Sequence, residues 1–360
     1  VHRPGHHAGP TGSTGMTLQA STLALAGILL AAVLDRSIGD PSGWLHPVVV
    51  MGWGIQRMRL RAESWAMDSP IKLSIAGFLI TVTLVLTSGF SGWLLEQLVL
   101  GHWAGGPGWI KSFASVCWVL ALASALAGKS LEAGVRRVLQ ALPADRNEEP
   151  IEARQRLSWI VGRDTTELSV DEILRATAET ASENSVDGLF APLFWMLVGA
   201  GLWSAGLINA PGPLALAWSF KAASTLDSML GYRKGRLRWL GTAGARLDDL
   251  LTWMPCRLVM LTLPLISQPI SRWSSLVLAA ERDGRHDPSP NAGRSEAIYA
   301  HCAEVQLGGR NQYGARWIDK PLLGDGFLSA SQQSVANILN LSRRLEVLWL
   351  LMALGCSLWI

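Results

Sequence analysis

Charged and uncharged stretches alternate along the chain on a long scale. No Asp, Glu, Lys or Arg occurs from Thr17 to Leu34, Leu73 to Leu95, Ser112 to Gly128 or Gly188 to Phe220. About 20 mostly apolar residues cross a bilayer as a helix, so the first three windows each predict one span. The fourth is too long for one span and contains Asn209-Ala210-Pro211-Gly212-Pro213, which predicts a tight turn between two helices, the second of them short. Leu250 to Ser271 is a further apolar stretch, interrupted by Arg257, Pro264 and Pro269, and Val347 to Ile360 is another. The pattern predicts an all-α, polytopic helical membrane protein with five or six transmembrane helices joined by helical and irregular loops.

Between the windows, Asp35 to Pro70 reads as a polar segment punctuated by Gly and Pro. Lys129 to Asp187 reads as helical: Leu131 to Leu142 has apolar spacing near 3.6, Pro143 stops it, and Ser169 to Glu183 starts a new helix. Ser169 with Glu172 three residues later has the form of a capping box. Ala280 to Arg344 is rich in Gly, Asn and Pro and reads as partly irregular. Val1 to Gly15, with His2, His6 and His7, reads as a disordered, solvated leader or tag, and residues 16–360 as one integral membrane catalytic domain. Leu18 to Leu34 reads as a span rather than a cleaved signal, because no small-residue cleavage site precedes the next polar segment.

Composition agrees with a bilayer home: 49% of residues are hydrophobic, only 16% are charged, and the mean hydropathy is +0.25. The net charge of +3 carries no basic stripe, so nucleic acid is not an expected partner. Lys and Arg number five between Leu34 and Leu73, eight between Gly128 and Gly188 and six from Lys221 to Leu250, against one between Glu96 and Ser112. That asymmetry places the three basic loops together in the cytoplasm. Cys117, Cys256, Cys302 and Cys356 form no CxxC pair, so neither a disulfide framework nor a zinc site is expected.

The strongest chemical signal is Glu179-Thr180-Ala181-Ser182-Glu183-Asn184-Ser185-Val186-Asp187. A spacing of four puts Glu179, Glu183 and Asp187 on one helical stripe, where three like charges repel unless something positive sits among them. A solvated helix face is the bland alternative. The stripe abuts an apolar window, however, and oxygen ligands suit a hard cation such as Mg²⁺. A second acidic element, Arg246-Leu247-Asp248-Asp249, follows Lys221 and Asp227, and carboxylates beside Lys and Arg can hold Mg²⁺ and phosphate together. Arg233 to Arg238 read only as a membrane edge. Asp35, Asp40 and His46 flank Gly39-Asp40-Pro41, His46 reading by itself as a structural hydrogen-bonder. Gly162-Arg163-Asp164-Thr165 offers a salt bridge or a phosphate contact, and the Ser289 to Gly293 and Leu307 to Gly309 stretches offer backbone amides to an anion. Gly128-Lys129-Ser130 imitates the end of a phosphate-binding loop, but position 123 is Ala and falls in a span, so it reads as a helix end.

In order and content these strings resemble the membrane-bound adenosylcobinamide-phosphate synthase family of cobalamin biosynthesis, from Asp35 to Gly324. The resemblance rests on residues 39–47, 162–164, Glu179 to Pro192, Thr225 to Tyr232, Arg246 to Asp249, Pro255 to Leu258 and 289–293, with departures at Ser224, His301 and Cys302. It implies ATP-driven amide formation between adenosylcobyric acid, the corrinoid substrate, and (R)-1-amino-2-propanol O-phosphate or free aminopropanol. ATP and Mg²⁺ are the implied co-substrate and cofactor. Glu179, Glu183 and Asp187 become candidate catalytic residues, and Glu183, Asp187, Asp248 and Asp249 candidate metal ligands. Asp40, His46, Arg163, Lys221, Asp227, Arg246 and Asn291 become candidates for holding substrate and phosphate. The expected setting is the bacterial inner membrane with the site facing the cytoplasm, with room for a homo-oligomer or contacts with other cobalamin-pathway enzymes. The rival is a non-enzymatic sensor, regulator or transporter distantly related to that family. A transporter would place ionisable residues inside its spans. One topological demand follows: the 289–293 segment joins the other motifs only if Pro264 and Pro269 turn 250–271 back as a re-entrant hairpin.

Overall fold

Five helical stretches are long and apolar enough to cross a membrane: Gly15–Ser37, Pro70–Leu100, Gly108–Gln140, Val170–Ser204 and Thr242–Ser267. They occur in a computed structural model that describes residues 11–40, 45–101, 108–145, 148–313 and 316–357. In chain order the helices are α1 (Thr11–Ser37), α2 (Pro47–Ala66), α3 (Pro70–Leu100), α4 (Gly108–Ala123), α5 (Gly128–Gln140), α6 (Ile151–Ser158) and α7 (Val170–Ser185). A π-helical turn, Val186–Phe190, joins α7 to α8 (Ala191–Ser204). Then come α9 (Pro213–Leu230), α10 (Leu237–Leu240), α11 (Thr242–Thr262), α12 (Pro264–Ser267), α13 (Trp273–Gly284) and α14 (Ala292–Ala303). The hairpin β1 (Val305–Tyr313) and β2 (Arg316–Leu323), the short β3 (Leu328–Ser329) and α15 (Gln332–Ser357) complete the described chain. The polytopic all-α architecture expected from the sequence is therefore present, with one small sheet ordered β2-β1-β3.

The longest helix shows how the bundle packs. α3 has 31 residues, about 46 Å at 1.5 Å per residue. Ile75, Phe78, Leu79, Val82, Leu86 and Phe90 are exposed along one face, an apolar surface that lipid rather than water solvates. Small residues lie on the inner face instead. A Cβ at Gly77 would stand 2.0 Å from the Leu240 carbonyl oxygen, and one at Gly92 would stand 2.9 Å from Ala215 Cα. Close backbone approach of this kind is how membrane helices gain contact without a hydrophobic driving force. Gly77→Val is expected to cost at least about 1–3 kcal/mol by overpacking, read as earlier thermal unfolding of the detergent-solubilised protein.

Where prolines or helix ends release backbone groups, other elements satisfy them. Glu96 of α3 is fully buried and accepts hydrogen bonds from the amides of Gly212, Leu214 and Ala215 at 2.9, 2.6 and 3.3 Å. The Asn209–Pro213 turn is thus present, and its helix N-terminus is capped by a carboxylate from another span. Pro255 lies inside α11 and leaves the Leu251 carbonyl without its helical donor; the Trp195 indole donates to it at 3.1 Å. Pro192 does the same to Gly188, whose carbonyl accepts from Ala127 N at 2.9 Å. There the helix widens into the π turn, with the Ala191 amide reaching back to Val186 O.

Several expectations need correction. Asp35 to Pro70 contains the 20-residue helix α2, with Pro47 in its first turn and the His46 side chain accepting from Val48 N. The Glu179 to Asp187 stripe lies on the polar N-terminal half of the Val170–Ser204 helical stretch, whose charge-free part begins at Gly188. Gly128 opens α5. α15 is not among the five candidate spans. The irregular reading of 280–344 missed α13, α14 and the β-hairpin. α1 begins at Thr11, inside the expected leader, whose first ten residues lie outside the described ones, as do Pro41 and most of the 101–108 turn.

After α11 the chain reverses. α12 and the short turn Ile270–Arg272 lead into α13, and the Trp273 indole donates to Leu261 O at 2.7 Å. The returning chain brings Asn291 back to α11, where its side-chain amide donates to Asp249 O at 2.8 Å. The chain reversal that the motif positions require is present, and it returns 289–293 to α11.

Candidate active site

The acidic stripe starts from a well-formed helix end. Ser169 Oγ accepts from Glu172 N at 3.3 Å while Glu172 Oε2 accepts from Ser169 N at 2.8 Å, so the expected capping box forms. About five turns on, the stripe meets the π turn, whose extra residue shifts Asp187 from the position that a regular helix would give it. Glu183 and Asp187 then face a cavity of about 550 Å³. Asp227 and Gly231 at the end of α9, Asp248, Asp249 and Thr252 of α11, His286 to Asn291 before α14, and Lys320 of β2 also line it. Six candidates scattered over more than 100 residues, Glu183, Asp187, Asp227, Asp248, Asp249 and Asn291, share this one space.

The 289–293 segment owes its shape to hydrogen bonds within the fold. Ser289 N donates to Asp287 Oδ1 at 2.8 Å, and Ser289 Oγ accepts from the amides of Asn291 and Ala292 at 3.2 Å each. Those amides begin α14 and are spent internally, so they form no anion cradle. The Gly308 amide is likewise taken, donating to Glu179 Oε1 at 2.9 Å. Asn291 is clamped from both ends: Arg257 donates to its side-chain oxygen, and its NH₂ meets Asp249 O.

Other candidates fall outside the cavity lining. Glu179 is 3% exposed and is held by Arg163 in a short ion pair, by the Gly308 amide and by Arg175 Nε at 3.8 Å. Arg163 is thus a structural counter-ion, and Glu179 ties α7 to the loop before it and to β1. Arg246 is exposed on α11 and does not line the cavity. Asp40 and His46 make a separate group near the end of α1, with His46 Nε2 3.1 Å from Asp40 Oδ1 and Ser130 Oγ donating to Asp40 Oδ2 at 2.5 Å. Burial pushes Asp40 up, but the His46 and Ser130 contacts outweigh it and hold its carboxyl below the usual range. Lys221 is within electrostatic range of both groups, of Asp187 and Asp248 in one and of Asp40 and Asp35 in the other.

Sequence reasoning missed Lys320, Asp287, Glu296 and Arg233. Lys320 Nζ lies 3.3 Å from both Asp287 Oδ2 and Glu296 Oε1. Glu296 is pushed up to about 8 by burial, with Glu179, Glu183 and Asp287 adding to the effect against the pull of Lys320. Burial alone would lower Lys320, but Glu296, Glu183, Asp287 and Glu179 hold its ammonium above the usual range. One ammonium shared among four acids stays charged, while the acids cannot all ionise together. A lone Lys in a strand gives no local signal of this role.

The lining has the donor chemistry of a hard-cation site. Asp248 Oδ1 and Thr252 Oγ1 are buried without a hydrogen-bond partner among the described residues, an expensive state for polar oxygens. Among the described residues no three His, Cys, Asp or Glu side chains converge as a ready-made metal cage. Mg²⁺ does not require one, since it keeps several waters and takes one or two carboxylates together with substrate phosphates.

The family described as CobD/Cbib protein matches residues 28–342. A cobalamin biosynthesis protein CobD from Synechocystis sp. is 38% identical over 325 residues, covering 90% of this chain and 89% of its own. A cobalamin biosynthesis protein CbiB from Salmonella typhi is 34% identical over 335 residues, covering 92% and 95%. No solved structure matches the chain significantly. On a match across most of its length, the chain belongs to the CobD/CbiB family of cobalamin biosynthesis proteins.

Proposed function

We propose that this protein is an adenosylcobinamide-phosphate synthase, an ATP-dependent ligase that joins the free carboxylate of adenosylcobyric acid to the amine of (R)-1-amino-2-propanol O-phosphate or of free aminopropanol. The observation that carries the reading is the convergence of Glu183, Asp187, Asp227, Asp248 and Asp249 on one cavity, with a buried Asp248 oxygen left unpartnered. A carboxylate resists acyl transfer until one of its oxygens becomes a leaving group. In the proposed reaction that oxygen attacks the γ-phosphorus of ATP, ADP departs, and the amine nitrogen then displaces phosphate from the acyl carbon to form the amide. The amine must first give up a proton, and in this reading Glu183 or Asp187, both of which line the cavity, accepts it.

Glu183, Asp187, Asp248 and Asp249 would hold Mg²⁺, which when bound offsets the charge of the transferring phosphoryl group. Asn291, clamped by Arg257 and Asp249 O, orients the carboxylate arm without having to order itself first. The basic loops and the cytoplasmic origin of ATP and corrinoid support a site on the cytoplasmic face of the bacterial inner membrane. Glu183→Gln is expected to lower cobinamide-phosphate formation in isolated membranes about a hundredfold. Near-normal turnover in both Glu183→Gln and Asp248→Asn would remove the metal site from the proposal.

A further inference from the structure

Substrates that carry phosphate would meet a hostile charge balance in this cavity. Seven carboxyl groups line it, and among its lining residues only Lys320 and Arg233 bring permanent positive charge. Arg163 and Arg246, the guanidinium groups that the sequence offered to phosphate, are elsewhere.

The two lining cations are held very differently. Lys320 is fixed by its hairpin. It pairs with Gly309 across the strands, next to an irregularity at Gly308 and Gly309, which have φ of 80° and 87°. A Cβ at Gly308 would sit 2.0 Å from Pro321 O, so the close strand approach that sets this register needs glycine there. Asp287 and Glu296 engage its ammonium at 3.3 Å each, and Lys320 lines the cavity beside Asp287. Arg233 lies in the turn between α9 and α10, exposed and without a hydrogen bond or ion pair among the described residues, its charge felt by Asp249.

We propose that Lys320 and Arg233 together form the phosphate-binding subsite of this cavity. Lys320 supplies a preplaced point charge, and the unengaged Arg233 closes on the phosphoryl oxygens with its planar fork. The subsite rests on the ligase reading for its source of phosphate, which is either ATP or the phosphorylated amino alcohol. Both present the same chemistry.

Equilibrium binding to the full-length, detergent-solubilised protein tests this with three probes: ATP with Mg²⁺, (R)-1-amino-2-propanol O-phosphate, and free (R)-1-amino-2-propanol. Arg233→Gln alters an exposed turn and is expected to fold as the parent does; Lys320→Arg keeps the charge among the buried acids, and Arg238→Gln is a control outside the cavity. Arg233→Gln should weaken one or both phosphorylated probes about tenfold or more, as loss of a charged hydrogen bond does, and leave the free amino alcohol unchanged. Lys320→Arg should keep most of the affinity. A loss confined to ATP assigns the subsite to the nucleotide, and a loss confined to the phosphorylated amino alcohol assigns it to that substrate. Unchanged binding of both phosphorylated probes to Arg233→Gln, or an equal loss for the free amino alcohol, overturns the subsite. Intact phosphate binding in a protein that forms no amide would instead refute the ligase reading and leave the subsite standing.

Discussion

Asp248→Asn is expected to lower amide formation at least about a hundredfold, the usual scale for removing a preorganised electrostatic group, while the folded protein melts at the same temperature or higher. The two effects have one cause. Asp248 stands within electrostatic range of Asp227, Asp249 and Glu183, and its Oδ1 is buried without a hydrogen-bond partner. Like charges gathered in a low-dielectric site destabilise the protein without ligands and become useful only when a cation or a phosphate-bound metal arrives. Asparagine keeps the shape and removes the repulsion. Turnover in membranes and thermal unfolding in detergent check the two halves separately. A variant that loses activity only because it unfolds would show Asp248 to be a structural residue.

Arg163→Met should have a comparably large effect on stability. Arg163 and Glu179 form a pair whose side chains are 8% and 4% exposed, so removing the guanidinium strands a buried carboxylate. Breaking such a pair from one side costs about 3–5 kcal/mol, and Arg175 at 3.8 Å together with the Gly308 amide recovers only part of it. The double variant Arg163→Met, Glu179→Gln removes both charges and should regain much of the lost stability. Because neither residue lines the cavity, it should regain turnover as well. A stable double variant with no turnover would return Glu179 to the catalytic group.

Asp248 and the Arg163–Glu179 pair show what the sequence conveys and where it stops. The spans, the Ser169 capping box and the Asn209–Pro213 turn were legible because each depends on neighbours within a few residues. The acidic stripe was legible as one helical face, since a spacing of four is local geometry. Its division was not. Glu179 turns to Arg163 and the hairpin while Glu183 and Asp187 turn to the cavity, and the π turn that separates Asp187 depends on Pro192 together with an amide from Ala127, a distant segment. Charge type did not locate cations either. Arg246 lies beside Asp248 in sequence but faces outward on α11, whereas Lys320 reaches the acids only because β2 pairs with β1. Arginines at 57, 59 and 61 interrupt the apolar spacing of α2, which concealed that helix until packing against α3 and α9 supplied its buried face at Met51, Ile55 and Ala62.

The central claim is that this cavity activates a carboxylate by phosphoryl transfer and then joins it to an amine. Isotope transfer tests it most directly, using purified protein, ATP, (R)-1-amino-2-propanol O-phosphate and adenosylcobyric acid labelled with ¹⁸O in its free carboxylate. The account predicts ADP and one ¹⁸O atom in the inorganic phosphate released with each amide formed. Amide formed with no label in phosphate, or with AMP as the nucleotide product, would contradict it.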